Sequence, residues 1–287
     1  LRYKSEEFKQ VVKEELRLSE DELRLVAELY KSFLQLEEKG KNHVWTSIIR
    51  NAFAPLTIIG SHGKFDYVVG NPPWINWQNL PKDYREANRT LWQRYGLVSR
   101  TSSMKQLGGS KKDISSLFTY ISCDKYLKPK GELAFLITQS VYKSTAAAEF
   151  RRFRLDISGR NLKVQKAIDM VDLMPFEGAQ NRTGSIFIRE GEKTEYPLPY
   201  IIWRNPAKFR IYTDSSLAEV ILRIEKLNMY AKPIDGQFGP WIIGNSSTLD
   251  LFSVVSGKSA FRARSGTYTA GANGVFWVKI IQSVNAA

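Results

Sequence analysis

The spacing of apolar and polar positions divides the chain into three textures. Residues 5 to 39 are amphipathic and densely charged, and predict two helices. Ser19 and Glu22 form a capping box for the second helix, and Gly40 is placed to end it. Helical spacing continues from His43 to Phe53 until Pro55 breaks it, ahead of the apolar Leu56, Ile58 and Ile59 and the turn residues Ser61-His62-Gly63. Residues 1–64 therefore read as a helical arm or insertion.

From residue 65 the apolar positions arrive as short unbroken runs instead of stripes. Phe65 to Gly70, with two adjacent valines, has the form of a strand buried on both faces of a parallel sheet. Leu80 to Tyr95 predicts a helix, and Ser99 to Lys112, rich in Ser, Gly and Lys, a mobile loop. Asp113 is placed to N-cap a helix from Ile114 to Tyr126; Pro129 and Gly131 stop it, and Leu133 to Ile137 predicts a second buried strand. A further helix is expected to close over Phe150 to Leu155, with strands at Val164 to Asp169 and Ser185 to Arg189. This alternation predicts a layered α/β sheet over residues 65–205. At Asn205 the texture changes: a helix around Leu217 to Leu227 precedes Gly-, Ser- and Trp-bearing segments with short strands ending at Val278 to Ile281. A domain boundary is expected near 206, with 206–287 a linker and the start of another domain. No fixed-period repeat is visible, which argues against solenoids and propellers.

Composition narrows the partners. With 287 residues, 43% hydrophobic and 25% charged, the chain is long enough for one sizeable packed core and part of a second unit. Its formal net charge of +13 favours an anionic partner, nucleic acid first and a membrane surface second. The single Cys123 excludes an internal disulfide, and with His43 and His62 the sole histidines, no Cys/His cluster is spaced for zinc. Metal-free chemistry is expected. No run approaches the roughly 20 apolar residues that cross a bilayer, and the first residues lack a signal-peptide pattern, so a cytoplasmic location is expected.

The tetrapeptide Asn71-Pro72-Pro73-Trp74 follows the first strand directly, and ligands of open α/β sheets bind beyond the carboxyl ends of strands. An exocyclic amine on a nucleobase is a poor nucleophile because its lone pair is delocalised into the ring. The Asn71 side-chain oxygen and the Pro72 carbonyl are acceptors able to take two amino hydrogens and localise that pair. Two prolines restrict the loop, and Trp74 offers a flat face on which an extruded base regains about 1–3 kcal/mol of stacking. The plainer account is an ordinary turn with a core aromatic.

In this setting the tetrapeptide resembles the (Asn/Asp/Ser)-Pro-Pro-(Tyr/Phe/Trp) motif of amino-methyltransferases, in the Asn form of adenine-N6 enzymes. Lys112 to Phe118 and Gly131 to Ser140 are similar to the segments after that motif in gamma-class DNA methyltransferases of fused type II restriction-modification enzymes. The likeness spans roughly residues 43 to 205 and, more weakly, reaches 281. It implies a partial Rossmann-like methyltransferase sheet, with the helical arm before it and the start of a target-recognition domain after it. The activity implied is methylation of a flipped adenine at N6 in double-stranded DNA, with S-adenosylmethionine as donor, as the modification part of a restriction-modification system. Asn71, Pro72, Pro73 and Trp74 are then the candidate catalytic residues, Asn71 also facing the cofactor. Phe176, in Met174-Pro175-Phe176-Glu177, matches a second aromatic on the other face of the base; alternatively it is a loop aromatic anchoring Leu173 and Met174. Arg262 to Gly266 and Gly271 to Trp277 look like the opening of the target-recognition domain, which assigns Arg262, Arg264 and Asn273 to DNA, Arg262 and Arg264 as phosphate contacts; a solvated basic turn is the simpler account.

Departures from the family pattern are as informative. Family members carry a Gly-rich loop, an acidic residue and a polar site on three strands upstream of the motif, whereas Gly40, Gly60 and Gly63 form no Gly-x-Gly turn here. The methionine and ribose subsites are therefore expected to be missing and the chain partial in both directions. Glu37-Glu38-Lys39 has no strand-borne acidic partner, so no cleavage site is assigned, and a nuclease or specificity domain is left to the complete protein. Two other readings compete: a protein-glutamine methyltransferase, which presents an amide nitrogen to the same turn, and a non-catalytic DNA-binding fragment.

Overall fold

The arm is a helical hairpin. α1 (Ser5–Leu16) and α2 (Glu20–Glu38) bury Val12, Leu23, Ala27 and Tyr30, and the Phe8 and Tyr30 rings stack at 3.7 Å and 7°. α2 starts after Ser19, and Gly40 takes φ +65°, a left-handed conformation that glycine adopts without a Cβ penalty. The computed structural model describes residues 5–16, 19–40, 47, 51, 54, 59–60, 63–98, 112–173, 175–176, 181–212 and 214–257. Most of the helical continuation from His43 to Phe53, the expected loop up to residue 111 and the strands ending at Val278 to Ile281 lie outside these residues.

The described remainder is mixed α/β, in the class expected. Eight strands, β1 (Phe65–Gly70), β2 (Leu127–Thr138), β3 (Arg154–Leu155), β4 (Arg160–Asp169), β5 (Thr183–Glu190), β6 (Leu198–Arg204), β7 (Glu225–Pro233) and β8 (Trp241–Gly244), form one sheet. Their order is β1-β2-β5-β4-β6-β7-β8, with β3 hanging off β4. β1 with β2 and β4 with β6 are parallel; the other pairs are antiparallel. Helices α3 (Lys82–Arg94), α4 (Ile114–Lys125), α5 (Ser140–Lys143), α6 (Leu217–Arg223) and α7 (Ser246–Val255) complete it. The main core joins Leu133, Phe135 and Ile137 of β2 and Ile186 and Ile188 of β5 to Trp92 of α3 and Leu117 and Tyr120 of α4. Each such side chain contributes about 1.5–3 kcal/mol by leaving water.

Four expectations need correction. β1 is a strand but is not buried on both faces: Tyr67 is 72% and Val69 80% exposed, while Val68 on the other face packs against the core. Strand order explains this, because β1 stands at the sheet's end, and the second apolar cluster of Met170, Leu173 and Val220 packs on Leu136, Ile168 and Trp203. β2 starts at Leu127, directly after α4, and takes in Pro129 and Gly131. Pro129 is tolerated because the ladder jumps from Phe65↔Leu127 to Tyr67↔Glu132, leaving the intervening residues out of the pairing that a missing N–H would break. Gly131 is required by close approach: a Cβ would sit 3.0 Å from the Asp66 carbonyl. Phe150 to Leu155 is no helix but a single 3-10 turn (Phe150–Arg152), a left-handed Phe153 at φ +44° and β3; Phe153 and Leu155, two apart, are both buried. Finally, the helix expected to reach Leu227 stops at Arg223 so that β7 can begin, and β7 pairs with β6 from Leu198↔Ala231 to Arg204↔Glu225. Ala231 and Trp241 belong to the main core.

The end of the sheet away from Asn71 is closed by charge. Arg160 at the start of β4 holds Asp124 at 2.6 Å and Glu190 at 3.1 Å, and the Tyr95 hydroxyl donates to Asp124 at 2.9 Å. Burial alone would raise the Asp124 carboxyl, but the Tyr95 bond and the charges of Lys125 and Arg160 outweigh it and lower the pKa.

Two outcomes follow. In urea unfolding, Val69→Asp should change stability by less than about 0.5 kcal/mol, whereas Ile186→Ala should cost about 2–5 kcal/mol. Because the Asp124 pKa is lowered on folding, its contribution is full at neutral pH and disappears as pH falls through the lowered value. Asp124→Asn should therefore flatten the acid limb of a Tm-against-pH curve below about pH 4.

Candidate active site at the carboxyl ends of the strands

Parallel pairing of β1 and β2 sends both carboxyl ends to one edge of the sheet, where Asp169 ends β4 and Thr183 opens β5. Asn71 is the first residue beyond β1, after Gly70, which lies opposite Phe135 so closely that a Cβ would be 3.1 Å from its ring. Pro72 is buried, Asn71 and Pro73 are exposed and Trp74 is half-buried. The indole Nε1 of Trp74 donates to the Leu136 carbonyl at 3.2 Å, on the strand next to its own.

The chain beyond the tetrapeptide is pinned too. The Trp77 N–H donates to the Lys112 carbonyl at 2.7 Å and the Ile114 N–H to the Ile75 carbonyl at 3.0 Å, while Trp77 is buried edge-on to Trp92 at 5.2 Å. Asp113 caps α4 as expected, accepting the Ser115 N–H at 2.8 Å. Burial raises its carboxyl pKa despite that bond. Lys112 is held by Glu149 at 2.6 Å and the Leu97 carbonyl at 2.9 Å. The tetrapeptide is therefore bracketed between two fixed points, as preorganised acceptors require. Among the described residues nothing hydrogen-bonds the Asn71 side chain, which stands exposed at the tip.

Phe176 comes to the same place from the connection between β4 and β5. Its ring meets Trp74 at 5.3 Å between centroids and 81° between planes, an edge-to-face contact. The pairing of the two aromatics was expected, but with the base held between them. In edge-to-face contact the two rings leave no room for a planar group between them, so one must swing aside to admit it.

Sequence reasoning missed the polar cluster at the same edge of the sheet. Asp169, 4% exposed, accepts from Gln139 Nε2 at 2.5 Å and from the Tyr200 hydroxyl at 2.7 Å. Burial, then the adjacent Asp169 charge, raises the Tyr200 hydroxyl so that it stays protonated. A carboxylate ending an otherwise apolar strand was the available signal. Arg151, 2% exposed, donates to the Val141 carbonyl at 2.7 Å and the Phe238 carbonyl at 3.1 Å, joining α5 to the β7–β8 turn. Burial pushes its guanidinium down to about 10.

Arg262, Arg264 and Asn273 lie outside the described residues. Within the described residues no group of three His, Cys, Asp or Glu side chains could hold a metal, and no helix is long and apolar enough to cross a membrane.

The model of a family described as Eco57I restriction-modification methylase matches residues 3–176, more than half of the chain. No curated protein sequence matches it. Similar solved structures include the ATP-dependent Type ISP restriction-modification enzyme LlaBIII bound to DNA, at 14% identity and TM-score 0.36, covering 66% of this chain and 13% of that one. A modification subunit of a putative type I restriction enzyme from Vibrio vulnificus YJ016 is 13% identical with TM-score 0.35, covering 63% of this chain and 37% of that one. The Type IIL restriction-modification enzyme MmeI in complex with DNA is 16% identical with TM-score 0.32, covering 59% and 20%. The chain thus spans between 13% and 37% of the length of these three.

The aromatic contact can be weighed directly. A double-mutant cycle of Trp74→Ala and Phe176→Ala, followed by urea unfolding, should return a coupling energy of about 0.5–1.5 kcal/mol.

Proposed function

The chain belongs to the Eco57I restriction-modification methylase family, and we propose that it carries the target-base side of an adenine-N6 DNA methyltransferase. The observation that carries this reading is the exposed, unengaged Asn71 side chain at the end of β1, beside the Trp74–Phe176 pair. In a flipped adenine, the N6 amino group donates one hydrogen to the Asn71 Oδ1 and the other to the Pro72 carbonyl. These bonds draw the nitrogen lone pair out of the ring and aim it away from the loop. As positive charge develops on nitrogen, both acceptors strengthen their hold, which stabilises the transition state over the ground state. Trp74 stacks on the base, and Phe176 closes over its other face once the edge contact opens.

S-adenosylmethionine, when bound, supplies the electrophilic methyl. The described residues fit its methyl-bearing end alone, where Asn71 stands. Gly63, at φ +72°, leads directly into β1, and no Gly-x-Gly turn joins a strand to a helix among the described residues. No residue is assigned to the adenosyl or methionine parts.

Double-stranded DNA is the proposed partner, engaged through the excess of Lys and Arg that gives +13, with Arg262, Arg264 and Asn273 as proposed DNA contacts, Arg262 and Arg264 to phosphate. Residues 1–64 are read as the arm and 206–287 as leading into target recognition, in the modification part of a restriction-modification system.

The test is incorporation of labelled methyl from S-adenosylmethionine into unmodified genomic DNA by the complete protein. Asn71→Ala should lower turnover by about 10²–10³, with the label recovered as N6-methyladenine. Unchanged turnover, or label in protein glutamine, would sink the proposal. DNA affinity should also fall with salt by about 0.9 log units per log unit for each phosphate contacted.

A further inference from the structure

Asp169 accepts three hydrogen bonds, and each comes from a different part of the chain. Its Oδ2 takes Gln139 Nε2, just beyond β2, at 2.5 Å and the Tyr200 hydroxyl of β6 at 2.7 Å; its Oδ1 takes the Val171 N–H at 3.0 Å. No Lys or Arg among the described residues forms an ion pair with it. Burying a carboxyl is costly, and an apolar residue at a strand end would serve stability as well or better. Two of its three partners lead toward the aromatic pair. Gln139 follows Leu136 by three residues, and the Leu136 carbonyl holds the Trp74 indole. Its own N–H donates to the Arg182 carbonyl at 2.8 Å, fixing the end of β2 against the start of β5. On the other side, the Val171 bond organises a turn closed by Leu173 N–H to the Met170 carbonyl at 3.0 Å, while Met170 N–H donates to Thr183 at 3.0 Å. Leu173 is buried, and Phe176 follows three residues later.

We propose that Asp169 is the positioning residue of the aromatic pair, its carboxyl locking the strand end that seats Trp74 to the turn that delivers Phe176. The role in catalysis rests on the reading of those two rings as walls of the base pocket. Asp169 does not touch the base; it acts through Gln139 and Val171.

The experiment places 4-fluorophenylalanine at position 176 of the full chain and records its fluorine resonance, with a second sample labelled at the buried Phe150 as control. Asp169→Asn keeps volume and the Oδ1 acceptor but turns Oδ2 into an amide nitrogen that cannot accept from Gln139 and Tyr200. The position-176 resonance should shift or split in Asp169→Asn and move in the same direction, by less, in Tyr200→Phe, while the position-150 resonance holds still. A position-176 resonance identical to wild type in Asp169→Asn overturns the proposal. Should Asp169→Asn fail to fold, Tyr200→Phe decides in the same way, since it removes one hydroxyl and leaves the ring. With the complete protein, methyl incorporation into unmodified genomic DNA should fall up to about 100-fold in Asp169→Asn, with KM for S-adenosylmethionine unchanged. A moved resonance with undiminished methylation also overturns the positioning role. The spectra need neither DNA nor cofactor, so a wild-type protein that methylated no DNA would sink the functional reading while the position-176 resonance still decided the proposal.

Discussion

A single hydrogen bond organises this molecule's candidate site: the indole N–H of Trp74 on the Leu136 carbonyl. The ladder between β1 and β2 reaches Gly70↔Phe135, so the next carbonyl on β2 has no ladder partner from β1. A half-buried carbonyl needs a donor, and Trp74 supplies one from the chain that has just left β1. That bond ties the loop to the end of β2, with Pro72 buried and Asn71 exposed at the tip. Parallel pairing is what makes it possible, since it brings the end of β2 level with the start of the loop.

Much of this was legible in the sequence because it is local. Asp113 as an N-cap, Gly40 as a helix end, and the strand preceding Asn71 each depend on a few adjacent residues, and each stands where its pattern placed it. Phe176 was placed by resemblance, and its meeting with Trp74 depends on a contact across the sheet. What escaped were properties that belong to neighbours. Whether Tyr67 and Val69 are buried depends on what lies beyond β1, and their runs of apolar letters cannot report that. Pro129 marked a break because proline usually does; here a register shift supplies the place where its missing N–H is harmless. The pairing of β6 with β7 across residue 206 joins segments separated by a helix and a change of composition. Asp169 carried the weakest signal, a lone carboxylate whose three partners lie at positions 139, 171 and 200.

The two ends of the sheet are built on opposite principles. One is closed by Arg160, Asp124, Glu190 and Tyr95, a network with charges of both signs. The other is closed by neutral donors around one carboxyl and by apolar rings, and it leaves an amide side chain exposed. The one buried carboxyl there, that of Asp169, is held by neutral donors alone.

The edge-to-face contact of Trp74 with Phe176 also bears on selectivity. Under the proposed function, an incoming base competes with an intramolecular partner already in place, so its own stacking must exceed what the two rings lose by parting. Purines, with two fused rings, have the larger face to offer, and pyrimidines the smaller. Under the proposed reading, the resting contact acts as a threshold: a one-ring base recovers less than a two-ring base does, and discrimination begins before any hydrogen bond to Asn71 is made.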